Sequence, residues 1–276
     1  MGFGLRVLAA IRLVHPAPTV AVTALSAILG GILLAQTGVP IDDRWLLTVG
    51  AVLGSQVFTG AVNDLVDRNR DATAGRVEKP LAAGDISAGA ALWVASAGLA
   101  LQLAASLRLG TLPLLLGAGA TLSALAYNLW LSRTPLSVVP YLVSFGLLPL
   151  WVAAGVGVPL ERVVAAVPLI APFAAAAHLA NVARDFAADA ATGARSAGQV
   201  LGRERSVWVA WALALGVGLG VGAGLTLGGA AQVPGLALGV VGLAAVAQGA
   251  GSASRLWYGI LVAGVCWTAA WALATA

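Results

Sequence analysis

Nine apolar segments of about twenty residues each follow one another along this chain of 276 residues. The hydrocarbon core of a bilayer is about 30 Å thick, and an α-helix needs about twenty mostly apolar residues to cross it. The pattern therefore predicts an all-α membrane protein with nine transmembrane helices. We predict these helices over residues 18–37, 45–66, 87–107, 111–131, 138–157, 163–183, 207–227, 233–250 and 255–276.

The composition supports this class and excludes several others. Hydrophobic residues make up 60% of the chain and charged residues 9%, whereas an average soluble domain has about 25% charged residues. A disordered chain combines low hydrophobicity with high charge, so disorder is excluded. The single cysteine, Cys266, has no partner for a disulfide scaffold. We interpret residues 1–276 as one integral membrane domain.

The basic residues are distributed unevenly between the two sides of the predicted bundle. Twelve of the fifteen lie on the side of the N-terminus, and only Arg44, Arg108 and Arg162 lie on the other. Because cytoplasmic loops carry an excess of Lys and Arg, the N-terminus and the long polar connections are predicted to be cytoplasmic. No basic arm or stripe indicates a nucleic-acid partner. The Ala- and Gly-rich, Arg-over-Lys composition is typical of a GC-rich bacterium, so we expect a bacterial cytoplasmic membrane.

The acidic residues form an internal repeat at the start of the two long polar connections, which cover about residues 67–85 and 184–205. Each copy is an Asn followed by two Asp residues at four-residue spacing, which places the three side chains on one helix face, a turn apart. We call the copies the first acidic set and the second acidic set. They consist of Asn63, Asp67 and Asp71, and of Asn181, Asp185 and Asp189.

Oxygen ligands of this kind suit a hard cation, and Mg²⁺ is the common one. Mg²⁺ keeps positions open for waters and substrate phosphates, and basic side chains could complete a diphosphate site through charge-assisted hydrogen bonds. The alternative is that the acids only cap helices at the membrane surface. We favour capping for Asp85 and Glu204 but not for the duplicated sets. The basic residues available on the same side include Arg12, Arg76, Lys79, Arg133 and Arg195.

Other polar residues in or beside the predicted helices indicate a function less strongly than the acidic sets do. His178 lies one turn before Asn181, and His15 lies beside the start of the first predicted helix. A lone histidine in an apolar helix is more often a hydrogen-bonded packing residue than a functional one. Gln56 falls on nearly the same face as the first acidic set. The roles of these three residues stay open at this point.

Four motifs resemble those of the UbiA superfamily of intramembrane prenyltransferases. Residues 63–71, NDLVDRNRD, resemble its NDxxDxxxD motif, and residues 79–87, KPLAAGDIS, resemble the basic-Pro-Leu continuation. Asp185 and Asp189 resemble its second DxxxD motif. Tyr127 and Arg133 resemble its fourth-helix motif of a tyrosine followed by Lys or Arg, although Lys is more common in the family. The resemblance extends over the whole chain.

The resemblance implies a bundle of nine transmembrane helices around a central cavity that opens to the cytoplasmic side. It also implies Mg²⁺-dependent transfer of an isoprenyl group from a prenyl diphosphate to a lipophilic acceptor, usually an aromatic ring, within the membrane lipid. Asn63, Asp67, Asp185 and Asp189 would then bind Mg²⁺. Lys79, Arg133 and Arg12 would contact the diphosphate. Asp64 and Asp71 would support catalysis, and Tyr127 would face the diphosphate or the nascent cation.

Two other functions remain open from the sequence. A terpene cyclase of the same family would ionise a prenyl diphosphate and let the double bonds of the substrate itself attack the cation. A membrane transporter or ion carrier would also contain repeats with acidic residues. Against transport, the acids lie at the cytoplasmic ends of the predicted helices rather than at mid-membrane. No residue is placed to bind an acceptor carboxylate, so the acceptor is not identified.

Overall fold

The computed structural model describes residues 3–73, 75–191, 193, 195–227 and 233–275. This part of the chain is helical and contains no β-strand. Three short 3₁₀ helices cover Leu131–Arg133, Leu160–Arg162 and Val164–Ala166. The α-helices are α1 (Phe3–Leu13), α2 (Pro16–Thr37), α3 (Asp43–Thr73), α4 (Ala88–Leu109), α5 (Thr111–Leu129), α6 (Val139–Val156), α7 (Val167–Arg184), α8 (Phe186–Ala191), α9 (Ala197–Leu201), α10 (Arg203–Leu227), α11 (Val233–Ala247) and α12 (Ala253–Thr275).

Seven described helical segments are long and apolar enough to cross a membrane. They are Pro16–Thr37, Asp43–Thr73, Ala88–Leu109, Thr111–Leu129, Val139–Val156, Leu160–Arg184 and Arg203–Thr226. The prediction of nine transmembrane helices is therefore not confirmed. At the eighth predicted position α11 has 15 residues. A helix of that length is about 22 Å long, which is less than the thickness of the hydrocarbon core.

The chain forms two compact units. The first unit takes Met1–Trp130 and Leu147–Val164, and the second takes Leu131–Gly146 and Ala165–Ala276. Helix α6 contributes its first half to the second unit and its second half to the first. The interpretation of residues 1–276 as one domain stays a prediction, as does the central cavity.

In the first unit, α3 and α4 approach each other closely through glycines. A Cβ atom built on Gly54 would lie 2.6 Å from the backbone nitrogen of Gln102 and from the carbonyl oxygen of Gly98. A Cβ atom on Gly98 would lie 2.7 Å from the backbone nitrogen of Phe58. Small residues permit such backbone contact between membrane helices. This contact fixes α3, the helix that carries the first acidic set.

The second unit is built around α7, α10, α11 and α12. Alanines at their contacts are fully buried and allow close packing, as at Ala176, Ala180 and Ala210. The large Trp267 ring fills the space beside Gly242, and its Nε1 donates to the carbonyl oxygen of Gly239 at 3.2 Å. This packing holds α7, whose last turn carries Asn181 of the second acidic set.

Candidate functional site

Helix α3 continues past the predicted end at residue 66 as far as Thr73, so the first acidic set is helical throughout. The predicted helical spacing of this set is thus seen in α3, and the first seven residues of the polar connection that we placed at about residues 67–85 belong to the helix. Three carboxylates of this last part of α3 are buried: Asp64 is 1% exposed, Asp67 8% and Asp71 3%. Buried carboxylates are rare without partners. Each of them should therefore have a compensating cation.

Asp64 pairs with one cation, Lys79, and also contacts the imidazole of His15. Its Oδ1 accepts from Nζ of Lys79 at 2.5 Å and lies 2.9 Å from Nε2 of His15. Nζ of Lys79 and Nε2 of His15 are 3.2 Å apart, so the three side chains form a triangle. Sequence reasoning left the role of His15 open, because no spacing connects residue 15 to residues 64 and 79.

The other two acids of α3 pair with arginines that follow them in the chain. Nη2 of Arg70 donates to Oδ2 of Asp67 at 2.6 Å, across one helical turn. Nη1 of Arg76 lies 3.8 Å from Oδ1 of Asp71. Both arginine side chains are about one third exposed, at 31% and 30%. These cations reduce the repulsion between carboxylates that are stacked on one helix face.

Asn63 is positioned by α5. Its Nδ2 donates to Oδ1 of Asn128 at 3.3 Å, and Nδ2 of Asn128 donates to the carbonyl oxygen of Thr59 at 2.8 Å. Because Asn63 uses its amide nitrogen in this bond, its Oδ1 is the group that it offers as a ligand. Tyr127 precedes Asn128 on α5 and is half-buried. Within the first unit, the bond to Asn128 joins the predicted site residue Asn63 to the immediate neighbour of Tyr127.

Arg12 is held against the segment between α3 and α4. Its Nη2 donates to the carbonyl oxygens of Val77, at 3.3 Å, and of Glu78, and its Nη1 lies 3.4 Å from Oδ2 of Asp85. In this structure the Arg12 guanidinium binds protein oxygens of the segment that also carries Lys79. Asp85, which we interpreted as a capping residue, is instead an ion-pair partner; Ser87 caps α4 by accepting from the N–H of Ala90.

The second acidic set is not on one continuous helix. Helix α7 ends at Arg184, Asp185 leaves the helical conformation with φ −94° and ψ 14°, and α8 begins at Phe186. The prediction of one helix face is wrong here. The carbonyl oxygen of Phe186 accepts from Nε2 of Gln199 at 2.8 Å, so a side chain of α9 stabilises the break.

Arg184 connects residues on both sides of this break. Its Nη2 donates to Oδ1 of Asn181 at 2.8 Å, and its Nε donates to Oδ1 of Asp185 at 3.1 Å. The guanidinium carbon lies 5.1 Å from the ring centroid of Trp257, within cation–π distance. Asp189 lies four residues further on in α8 and is half-buried. Asn181 and Asp185 thus have a cation beside them, as the acids of the first set do.

Arg133 lies at the end of the 3₁₀ helix that follows α5, and its carbonyl oxygen accepts from the N–H of Arg195 at 3.2 Å. Ser137, which is fully buried, connects the segment after this 3₁₀ helix to both α7 and α9. Its Oγ accepts from the N–H of Ala197 at 3.0 Å and lies 3.0 Å from Nε2 of His178. Sequence reasoning missed Ser137, because nothing in its neighbourhood distinguishes it from a surface serine.

We expect Ser137→Ala to destabilise the protein by about 2 kcal/mol, because it removes the hydrogen-bond partner of a buried imidazole nitrogen and of a backbone N–H. Thermal unfolding in detergent measures the change. Thr226→Ala is the matched control, since the Thr226 hydroxyl bonds only carbonyls of its own helix and the residue is exposed. Equal unfolding temperatures for the two variants would contradict the bridging role of Ser137.

The first acidic set and the neighbouring Asp64 have the donor chemistry that suits a divalent cation. Oδ2 of Asp64 is buried and accepts no hydrogen bond from the described part of the chain. No group of three or more His, Cys, Asp or Glu side chains in the described ranges is arranged to hold a metal by itself. Mg²⁺ is usually bound by one or two carboxylates, with waters and substrate phosphates as the other ligands. The donor set is therefore of the kind that Mg²⁺ uses when a phosphate substrate is present.

Comparison with known proteins identifies the family. The model of the UbiA prenyltransferase family matches residues 24–257. A structure of digeranylgeranylglyceryl phosphate synthase is 16% identical, with a TM-score of 0.74 and coverage of 98% of both chains. An apo UbiA homologue from Aeropyrum pernix K1 is 20% identical, with a TM-score of 0.70 and coverage of 90% of this chain and 96% of that one.

A third similar structure is the UbiA homologue from Archaeoglobus fulgidus bound to GPP and Mg²⁺. It is 17% identical, has a TM-score of 0.64, and the alignment covers 97% of this chain and 100% of that chain. Among curated protein sequences, none matches this chain significantly. The apolar helices and the family match together indicate an integral membrane protein. Because the family model extends over most of the sequence, this chain belongs to the UbiA prenyltransferase family.

Proposed function

We propose that this protein transfers an isoprenyl group from a prenyl diphosphate to a lipophilic acceptor within the membrane, with Mg²⁺ as cofactor. The observation that carries the proposal is the buried row of carboxylates at the end of α3, in a chain of this family. The Archaeoglobus fulgidus homologue binds GPP and Mg²⁺, which supports a prenyl diphosphate as the substrate class. One or two carboxylates of this row would bind Mg²⁺ directly, and waters and the diphosphate would complete its ligands.

In this proposal Asn63 and Asp67 of the first acidic set, and Asp185 and Asp189 of the second, hold Mg²⁺. When bound, Mg²⁺ would supply positive charge for the departing diphosphate. Asp71 and Asp64 keep the end of α3 negatively charged and so favour cation binding there. The basic residues proposed to contact phosphate oxygens are Lys79, Arg133 and Arg12.

The reaction breaks the C–O bond between the isoprenyl carbon and the diphosphate, and the electron pair of that bond stays with the diphosphate. The acceptor supplies the electron pair for the new bond to the isoprenyl carbon, and then loses a proton. Lys79 and Arg133 bind the charge that develops on the leaving oxygens. Tyr127 faces the reacting end of the substrate, and the apolar helices exclude water from the allylic cation.

We further propose that the protein lies in a bacterial cytoplasmic membrane with its N-terminus and both acidic sets on the cytoplasmic side. Twelve of fifteen basic residues on that side support this orientation. A water-soluble prenyl diphosphate made in the cytoplasm would then reach the acids without crossing the membrane.

To test this proposal, purified protein is incubated with DMAPP, GPP or a longer prenyl diphosphate, each with and without a panel of aromatic acceptors. We expect release of diphosphate and formation of a prenylated acceptor, both abolished by EDTA and restored by excess Mg²⁺. Hydrocarbon or terpene alcohol formed without an acceptor would indicate a terpene cyclase instead. Absence of diphosphate release under every condition, together with Mg²⁺ flux in liposomes, would overturn the proposal in favour of transport.

A further inference from the structure

The turn between α1 and α2 contains an unusual backbone conformation. His15 has φ 53° and ψ 72°, and it is the only residue other than glycine with positive φ in the described part of the chain. The left-handed region is unfavourable for residues with a Cβ atom, and the residue before a proline, here Pro16, normally adopts extended backbone. Such a conformation persists only where surrounding contacts hold it.

The backbone of His15 is held by the bond of its N–H to the carbonyl oxygen of Arg12 and by the bond of its own carbonyl oxygen to the N–H of Thr19, and its side chain adds two further contacts. The structure has no side-chain cap at the start of α2, so the imidazole is not used to stabilise that helix. Instead Nε2 lies 2.9 Å from Oδ1 of Asp64 and 3.2 Å from Nζ of Lys79. The left-handed backbone thus directs the imidazole toward a buried carboxylate and an ammonium group.

The distances allow two roles for Nε2 of His15, which can either accept from Lys79 or donate to Asp64. Lys79 is an ammonium and can only donate, and the carboxylate of Asp64 can only accept. A hydrogen bond between His15 and Asp64 therefore requires a proton on Nε2 of His15. In that arrangement Oδ1 of Asp64 accepts from both partners, while Oδ2 accepts from no described residue. His15 thus limits how the carboxylate and the ammonium group can rotate.

The end of α1, next to this turn, also holds the backbone on which Lys79 lies. Arg12, three residues before His15, donates to the carbonyl oxygens of Val77 and Glu78. A Cβ atom on Gly60 of α3 would lie 2.8 Å from the carbonyl oxygen of Val14, so the turn is also packed directly on α3. Lys79 is therefore positioned twice, through its main chain by Arg12 and through its side chain by His15.

We propose that His15 is a positioning residue for diphosphate binding: it fixes the Asp64 carboxylate and, through it, the Lys79 ammonium group at the end of α3. The inference rests on the proposed function. His15 itself does not contact the substrate. It acts by holding Lys79 in one place, so that phosphate oxygens meet an oriented ammonium group instead of a freely rotating one.

The first test compares His15→Gly with His15→Ala, which both lack the imidazole but differ in backbone strain. Glycine adopts the left-handed conformation readily, so His15→Gly should unfold at a higher temperature than His15→Ala. A positioning role predicts that both variants raise the Kd for GPP with Mg²⁺ by the same factor, about tenfold. His15→Gln, whose amide nitrogen can donate to Asp64, should recover part of the affinity.

A purely structural role predicts the opposite pattern, in which the loss of affinity follows the loss of stability and His15→Gly binds more tightly than His15→Ala. That outcome, or wild-type affinity in His15→Gly, would overturn the proposal. In a Lys79→Met background the His15→Gly change should have no further effect on the Kd, because the residue that it positions is gone. Additive losses would contradict action through Lys79.

A second measurement does not depend on prenyl transfer. The chain has two histidines, His15 and His178, so protein labelled with ¹⁵N-histidine gives signals from only two imidazoles. We expect the His15 ring to carry a proton on Nε2, and its signals to shift in Asp64→Asn while those of His178 do not. An unprotonated Nε2 in the wild type would refute the hydrogen bond from His15 to Asp64 and, with it, the proposed positioning. If the contact is found but GPP does not bind, the proposed function fails and the geometry stands.

Discussion

Replacing Asp67 by asparagine is expected to lower kcat for prenyl transfer by about 10²–10³-fold, the loss that typically follows removal of one group that stabilises developing charge. Asparagine has nearly the same shape as aspartate, so the variant removes the charge and leaves the packing of α3 intact. Asp67 lies on the helix face that it shares with Asn63, and it is 8% exposed. A neutral side chain at this buried position weakens the binding of Mg²⁺ and, with it, of the diphosphate.

Initial rates of diphosphate release measured over a range of Mg²⁺ concentrations provide the test. The variant should need more Mg²⁺ for half-maximal rate as well as having a lower maximal rate. Asp43→Asn is the matched control, because Asp43 is an exposed carboxylate in the first turn of the same helix. We expect wild-type kinetics for Asp43→Asn. Turnover by Asp67→Asn at the wild-type rate would eliminate Asp67 as a metal ligand.

The second large effect is expected at Gly54. A Cβ atom at this position would lie 2.6 Å from two backbone atoms of α4, and a backbone cannot move aside as a flexible side chain can. Gly54→Ala must therefore push α3 and α4 apart, and we expect a loss of about 3 kcal/mol in the free energy of unfolding. Since α3 carries the first acidic set, the displacement should also weaken the binding of Mg²⁺ and GPP.

Gly50→Ala on the same helix is the control, because a Cβ atom at Gly50 would meet no atom within 4 Å. That variant exchanges glycine for a better helix former without a steric penalty, so its stability should equal or exceed that of the wild type. Thermal unfolding in detergent compares the two variants with the wild type. If Gly54→Ala unfolds at the same temperature as Gly50→Ala, the close crossing of α3 and α4 is wrong.

Prediction from sequence worked best where the signal is local. The apolar segments coincide with helices along most of the chain, because side-chain hydrophobicity at helical length is sufficient to specify a membrane helix. The four-residue spacing in residues 63–71 placed the first acidic set on one helix face, and α3 contains all of it. The motifs also indicated the correct family.

Identical spacing did not produce identical structure in the second acidic set. The chain leaves the helix at Asp185, although Asn181, Asp185 and Asp189 repeat the pattern of the first set. The partners that accompany the break are Arg184, which binds both Asn181 and Asp185, and Gln199, which binds the carbonyl oxygen of Phe186. A side-chain bond from another helix can stabilise a one-residue interruption between two helices, and the spacing of acids does not encode that bond.

The sequence by itself determined that this chain is a membrane protein of the UbiA family, and it singled out the acids on which a diphosphate chemistry would depend. Only the tertiary structure decided which side chains neutralise the negative charge of those acids. Lys79, expected as a phosphate contact, forms an ion pair with Asp64, and His15 completes that pair from a left-handed turn far away in the sequence. The physical reason is that hydropathy and helical spacing are local properties, whereas the neutralisation of a buried charge depends on which distant side chains the folded chain brings within hydrogen-bond distance.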